Sequence, residues 1–282
     1  MKEFRQFVVA RSPEEATQLK RSIGPGALYL AGGTTFVPFV KAPVEVLIDV
    51  SRLGLSGVVV GGGKVAVGAT TRIADLMVPE LRDTAPMLYK AGRRLATPLV
   101  RNAATVGGNL AYAFLPSDFG VALLATGAEI EILGESARAV FIEDLLSDGW
   151  LGGDDLVSKI TLAAHGRGQG TGFAKFGRGE VDIALVIGAV WLEAFGGEVR
   201  GLRIAVGQTS SMPVLLKEIA DGAVGKKVTR GLIEEVSDLA SGSMEPRDDY
   251  RASGDYKKNL IRVMVGRAFA EAAGEAGIKI AD

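Results

Sequence analysis

The sequence predicts an α+β fold, and three observations lead there. The first fifty or so residues read as strand, helix, strand and strand, a small α/β unit. A hairpin punctuated by three successive glycines follows. Beyond residue 172 the strands come first and the helices afterwards, the order of an antiparallel sheet covered by helices. With 282 residues, 48% of them hydrophobic, the chain is long enough to bury a sizeable core.

Phe4–Val9 reads as the opening strand. Ser12-Pro13-Glu14-Glu15 then starts a helix: serine caps the orphan N–H groups, proline suits the first helical position, and Glu15 completes a capping box. Ala16, Leu19 and Ile23 share one face, and Gly24 stops the helix. Ala27–Ala31 is a buried strand that runs straight into Gly32-Gly33, and Val44–Val50 is its neighbour. Ser56–Val60 and Lys64–Gly68 form the hairpin around Gly61-Gly62-Gly63. Thr70-Thr71 is expected to cap a short helix at Ile73–Met77. Pro86–Ala96 is helical until Thr97-Pro98 breaks it.

Leu99–Asp118 is rich in glycine, asparagine and small residues and reads as loop, with a helical or buried run at Val121–Thr126. Strands are expected at Glu129–Leu133, Ala139–Ile142 and Leu156–Leu162, and Gly166–Gly172 as a linker. Strands near Gly172–Phe176, Ile183–Glu193 and Glu198–Val206 precede helices at Pro213–Asp221, Arg230–Leu239 and Lys257–Ala273. In the last helix Leu260, Ile261, Met264, Val265 and Ala268 form the inner stripe.

Composition narrows the chemistry. The net charge is −1 and no basic block occurs, so nucleic-acid binding has no support. Cysteine is absent, which excludes disulfides and thiolate-held iron–sulfur clusters in this chain. The single histidine, His165, lies in a loop-like Ala163–Gly168 setting and is expected to be an exposed residue rather than a zinc ligand or triad member. The N-terminus has no apolar leader, and Ile183–Leu192 is too short to span a bilayer, so a cytoplasmic location is the expectation.

Two segments stand out: Ala31-Gly32-Gly33-Thr34-Thr35 and Thr105-Val106-Gly107-Gly108-Asn109. A diphosphate needs several N–H donors aimed at one place, and glycine lets the backbone approach closely. Thr34, Thr35 and Asn109 add side-chain donors, so no lysine or arginine is required. Neither a Gly-x-Gly-x-x-Gly helix opening near the N-terminus nor a P-loop string is present, which leaves the usual dinucleotide and P-loop folds without support. Either segment alone could be an ordinary turn in a chain with 38 glycines; together they suggest one shared anion.

The order of these strings is more specific. Ala31-Gly32-Gly33-Thr34, Gly68-Ala69-Thr70-Thr71, Val100-Arg101-Asn102-Ala103-Ala104-Thr105-Val106-Gly107-Gly108-Asn109-Leu110 and Pro116-Ser117-Asp118 follow one another. That order resembles the FAD-binding medium subunit of the molybdenum hydroxylase (xanthine dehydrogenase and carbon monoxide dehydrogenase) family. Asp248–Lys257, followed by Val265-Gly266-Arg267-Ala268, resembles that family's last domain. The resemblance covers essentially the whole chain.

It implies a two-subdomain FAD-binding domain of the vanillyl-alcohol-oxidase type at 1–55 and 56–168. A C-terminal flavoprotein domain of antiparallel sheet plus helices would follow at 172–282. Gly32, Gly33, Thr34 and Thr35 would contact the FAD diphosphate, with Leu30 and Ala31 lining the same segment. Thr105, Gly108 and Asn109 would hold it from the other side. Asp118 would accept hydrogen bonds from the ribityl or adenosine side, or simply cap the helix near Phe119. Val157 or Leu156 would pack on the cofactor, and Lys175 would lie near the flavin ring. Arg101 and Asn102 read as braces of the second segment. Tyr112 or Phe114, in a stretch bulkier than the family's usual small residues, would screen one face of the ring and change the electron acceptor's access. The implied role is electron transfer in a heterotrimer: a large molybdopterin subunit and a small iron–sulfur (2Fe-2S) subunit as partners, and NAD⁺ or another acceptor at the end. The alternatives are a stand-alone FAD oxidoreductase and a flavin-free assembly protein.

Overall fold

A computed structural model describes residues 4–35, 43–111, 117–147, 151–207, 209 and 212–280. In chain order the elements begin with β1 (Gln6–Val9), α1 (Pro13–Ile23), β2 (Ala27–Leu30), β3 (Val46–Asp49), β4 (Val58–Gly61) and β5 (Lys64–Gly68). Five helices follow: α2 (Pro79–Thr84), α3 (Pro86–Arg94), α4 (Pro98–Ala103), α5 (Val106–Ala111) and α6 (Asp118–Thr126). Next come β6 (Glu129–Leu133), β7 (Arg138–Phe141), α7 (Ile142–Ser147), β8 (Leu156–Ala163), β9 (Gln169–Phe176), β10 (Val186–Phe195), β11 (Glu198–Gly207) and β12 (Val214–Leu215). The chain closes with α8 (Lys217–Asp221), α9 (Arg230–Gly242) and α10 (Gly254–Glu275). These elements fall into two compact units. The first takes Met1–Met77, Thr97–Tyr112 and Gly127–Ala163, and the second Val78–Ala96, Ala113–Thr126 and Ala164–Asp282.

In the first unit, β1, β3 and β2 make a parallel sheet with β3 in the middle. Ile48 on β3 and Ala16 on α1 are fully buried in its core, beside Ala10, Ala27, Val46 and Val50. The Ser12 hydroxyl accepts from Glu15 N at 3.2 Å, as a capping serine should. The Glu15 carboxylate reaches back to Arg11 N at 2.7 Å, one residue further than a capping box requires. Gly24 ends the helix at φ 71. The second sheet is antiparallel, in the order β4-β5-β8-β6-β7. Its first hairpin turns on Gly62 and Gly63 alone, both left-handed at φ 57 and 73, the geometry that matches strand twist.

Several local expectations change. Ile73–Leu76 is a 3-10 turn without a side-chain cap, because the Thr71 hydroxyl is spent on Gly57, accepting from its N–H at 2.9 Å and donating to its carbonyl at 3.1 Å. The small-residue stretch after Thr97 holds two short helices, α4 and α5, rather than loop. Gly166–Gly172 is not a free linker, since residues 169–172 open strand β9.

In the second unit, β12-β11-β10-β9 is antiparallel and α10 lies along β9 and β10. The contact is close because Gly170, Gly172 and Gly188 have no side chain. A Cβ on Gly170 would strike the Ala272 carbonyl, one on Gly172 the Ala268 carbonyl, and one on Gly188 the Met264 backbone at 2.9 Å. Leu260, Ile261, Met264, Val265 and Ala268 are the buried stripe of α10, as their spacing requires. The segment before α10 is a clasp. Asp248 accepts from Gly254 N at 2.6 Å, and Ser253 caps the helix through Tyr256 N. Asp249 receives Arg251 at 2.9 Å and Lys257 at 3.0 Å.

Burial alone would raise the Asp249 carboxyl, but the bonds from Arg251 and Lys257 outweigh it and hold the group well below its usual range. A depressed folded-state pKa contributes stability above the unfolded value of about 3.9 and loses it as pH falls below that. Asp249→Asn is therefore expected to be less stable than the parent near neutral pH, with the gap closing below about pH 4. Thermal unfolding of the two proteins between neutral and acid pH measures this; a constant gap would refute it.

Candidate cofactor site

Strand β2 delivers the first glycine segment, and α4 and α5 deliver the second. Two backbone bonds pin the second segment to the residues after β5: Val106 N donates to Thr71 O at 3.0 Å and Gly107 N to Ala69 O at 2.8 Å. Gly107 must be glycine, since a Cβ there would lie 2.6 Å from the Ala69 side chain. The first segment packs at Gly32 against the end of α4, just before the second segment, where a Cβ would strike the carbonyl of Ala103. Gly33 turns the chain at φ 68, a left-handed conformation.

Together they line one cavity of about 260 Å³ within the first unit. Leu30, Ala31, Gly32, Gly33, Thr34 and Thr35 line it from one side, and Thr105 and Gly108 from the other. Leu156 and Val157 on β8 supply an apolar wall. So nine of the sequence-predicted cofactor residues, counting Val157, share one cavity.

The two sides are chemically unequal. Among the described residues, none accepts a hydrogen bond from the backbone N–H groups of Gly33, Thr34 or Thr35. On the opposite side the N–H groups of Val106, Gly107, Gly108 and Asn109 are already used. Gly108 N goes to the Thr105 hydroxyl at 3.1 Å and Asn109 N to Thr105 O at 2.9 Å, because this stretch is the first turn of a helix capped by Thr105. The first segment supplies free donors, and the glycines of the second allow close approach.

Asn109 does not line the cavity. Asp118 and Lys175 belong to the second unit and pair with each other at 2.8 Å, each side chain 6% exposed. Burial raises the Asp118 carboxyl, and the Lys175 ammonium opposes it. The helix cap at α6 is Ser117, which accepts from Gly120 N at 2.8 Å, and not Asp118. Lys175 also lines a second cavity of about 670 Å³, with Tyr89, Arg93, Arg94, Phe176 and Arg178. Arg101 and Asn102 lie on α4, away from the first cavity's lining. Tyr112 and Phe114 fall outside the described residues. His165 is half-buried rather than exposed, and burial lowers its pKa.

Sequence reasoning passed over several wall residues. Gly152 and Gly153 line the cavity, and their Gly-Gly pairing was the available signal. Lys20 also lines it, its ammonium donating to Ala27 O at 2.6 Å and Gly24 O at 3.1 Å. A lysine four residues after Ala16, near the apolar face of α1, was the hint. Thr70 is a third: its hydroxyl oxygen is buried with no hydrogen-bond partner among the described residues.

A cleft of free N–H groups and glycines at the end of a parallel strand, with Lys20 in its wall, defines a phosphate-binding cofactor domain, here followed by an antiparallel sheet with helices. Comparison makes the class specific. Residues 2–162 match the family model described as FAD binding domain in molybdopterin dehydrogenase. Residues 171–272 match that of the CO dehydrogenase flavoprotein C-terminal domain. The carbon monoxide dehydrogenase medium chain of Hydrogenophaga pseudoflava is 30% identical over 278 residues, 93% of this chain and 95% of that one. The glyceraldehyde dehydrogenase medium chain of Sulfolobus acidocaldarius is 28% identical, with 95% and 98% covered. A solved carbon monoxide dehydrogenase from Hydrogenophaga pseudoflava, lacking the Mo-pyranopterin moiety of its molybdenum cofactor, superposes with a TM-score of 0.93 at 28% identity, covering 98% of this chain and 99% of that one. The chain belongs to the FAD-binding medium subunits of the molybdenum hydroxylase family, and it is an oxidoreductase subunit whose cofactor is FAD.

The residues present fit that group. The free N–H groups of Gly33, Thr34 and Thr35, the buried Thr70 hydroxyl and the close-packed glycines are what a diphosphate would use. Among the described residues no group of three or more His, Asp or Glu is placed to hold a metal, and no helix is long and apolar enough to cross a membrane.

Proposed function

We propose that this chain is the electron-transfer flavoprotein of a heterotrimeric molybdenum hydroxylase. The observation that carries this is the single cavity lined by both glycine segments with three free backbone donors. At about 260 Å³ it is small for a whole dinucleotide, so we assign to it the diphosphate and the groups next to it. Gly33, Thr34 and Thr35 would donate to phosphate oxygens. Thr105 would donate its remaining hydroxyl proton, Gly108 would allow close approach, and Leu30, Ala31 and Val157 would exclude water. By resemblance, Asn109, Asp118 and Lys175 complete the cofactor set, with Lys175 near the flavin ring.

When bound, FAD supplies redox chemistry that can be loaded one electron at a time and discharged in pairs. This chain contributes binding, orientation and electrostatics, and needs no acid–base pair of its own. Substrate oxidation would occur at molybdopterin in a large partner, and 2Fe-2S clusters in a small partner would relay the electrons. NAD⁺ or another acceptor would take them, and the complex would be cytoplasmic. The relatives named as medium chains support this division.

Purification of the native complex tests it. Expected are two further chains, molybdenum, iron and flavin, and bleaching of the flavin band on adding substrate only when all three chains are present. Flavin bleaching by the substrate in the isolated chain, with no metal present, would overturn the assignment.

A further inference from the structure

We propose that the Thr70 hydroxyl is a ligand of the FAD diphosphate, a side-chain donor on the cavity wall where the N–H groups of Val106, Gly107, Gly108 and Asn109 are engaged. The inference rests on the assignment of the diphosphate to this cavity. Thr70 follows β5, between Ala69 and Thr71, the two residues whose carbonyls hold Gly107 and Val106. It is therefore laid directly beside the second glycine segment. It is 9% exposed and lines the cavity.

Its neighbour Thr71 is satisfied within the protein, by both its bonds to Gly57. Thr70 is not: its Oγ1 has no partner among the described residues. A buried hydroxyl without a partner is a standing cost to the fold. The cost disappears if an anionic oxygen occupies the cavity. A rotation about χ1 moves Oγ1 to another staggered position on Cβ, and the proposal requires the one that presents the hydroxyl to the cavity. On this wall Val106, Gly107, Gly108 and Asn109 have their N–H groups engaged, so the hydroxyl supplies a donor the backbone no longer offers.

A hydroxyl that serves the ligand and one that serves the fold give opposite signs on removal. Thr70→Val keeps the shape and deletes the donor, while Thr70→Ser keeps the donor. The full chain, stripped of flavin, is titrated with FAD and separately with ADP, which retains the diphosphate. Thr70→Val is expected to weaken both by roughly tenfold or more, the loss of one hydrogen bond to a charged group. Thr70→Ser is expected to bind close to the parent. The flavin-free Thr70→Val protein is expected to melt no lower than the parent, because no internal bond is lost.

Unchanged affinity in Thr70→Val, with the parent binding FAD normally, overturns this role and leaves the placement of the diphosphate intact. A flavin-free Thr70→Val that melts lower or fails to fold also overturns it, since that marks an internal role. A parent that binds FAD but not ADP removes the diphosphate from this cavity, and the inference falls with it.

Discussion

Replacing Gly32 by alanine is expected to release the flavin and loosen the first unit at once. The added Cβ would meet the carbonyl of Ala103 at the end of α4, a backbone group two residues before the other glycine segment that cannot rotate aside. The two segments must separate. Overpacking of this kind costs about 1–3 kcal/mol in folding stability. Binding suffers more, because donors on separated walls no longer converge on one diphosphate. Losing two charge-assisted hydrogen bonds at about 1.5 kcal/mol each amounts to roughly a hundredfold in affinity. Gly33→Ala is the control. Its Cβ has open space, with Leu30 Cδ1 the nearest atom at 3.7 Å, so only the strain of φ 68 is added, about 1–2 kcal/mol. Flavin content after purification and FAD titration measure both variants. Full flavin occupancy in Gly32→Ala would mean that the contact between the segments is not what shapes the cavity.

Lys175→Met is expected to destabilise the second unit by about 3–5 kcal/mol near neutral pH, the cost of leaving one member of a buried ion pair alone. Asp118 keeps no other hydrogen-bonded cation among the described residues, and both side chains are 6% exposed. The sign of the pH dependence is set by Asp118. Burial already raises its pKa, and removing the ammonium raises it further. A carboxyl with a raised folded-state pKa takes up a proton in the folded protein before it does so in the unfolded one. The variant's deficit is therefore largest above that raised value and shrinks as pH falls toward the unfolded value of about 3.9. Lys175→Met with Asp118→Leu is expected to recover most of the loss. Denaturant unfolding at several pH values decides the matter. A deficit that is small, or the same at every pH, would show that water reaches the pair.

Much of this was legible in local pattern. Ser12-Pro13 announced α1, Gly62-Gly63 the hairpin and the stripe from Leu260 to Ala268 the last helix, because each depends on neighbours within a turn or two. The first glycine segment was legible for the same reason: Leu30 ends a strand, and Gly33 permits the turn that follows. What sequence hid was pairing across distance. Thr71 looked like a helix cap until Gly57, fourteen residues earlier, took its hydroxyl. Thr105–Asn109 looked like an open cradle. The carbonyls of Ala69 and Thr71 hold the N–H groups of Gly107 and Val106, and Thr105 holds those of Gly108 and Asn109. Thr70 could be recognised only after that, by elimination among its neighbours. The pairing of Lys175 with Asp118, 57 residues apart, has no local signature at all.

The weave of the chain governs how the protein is made and how it can be divided. Helices α2 and α3 and helix α6 are excursions into the second unit by polypeptide whose flanks belong to the first. A cut near residue 165 matches the gap between the two family models, yet it would yield neither piece whole. An amino-terminal fragment would carry α3 and the apolar α6 without strands β9, β10 and β11, their packing surfaces. During synthesis those helices leave the ribosome well before their strands do. A nascent chain must therefore shelter Phe119 through Ala125 until residues 186–207, which form the strands β10 and β11 they pack on, have been translated.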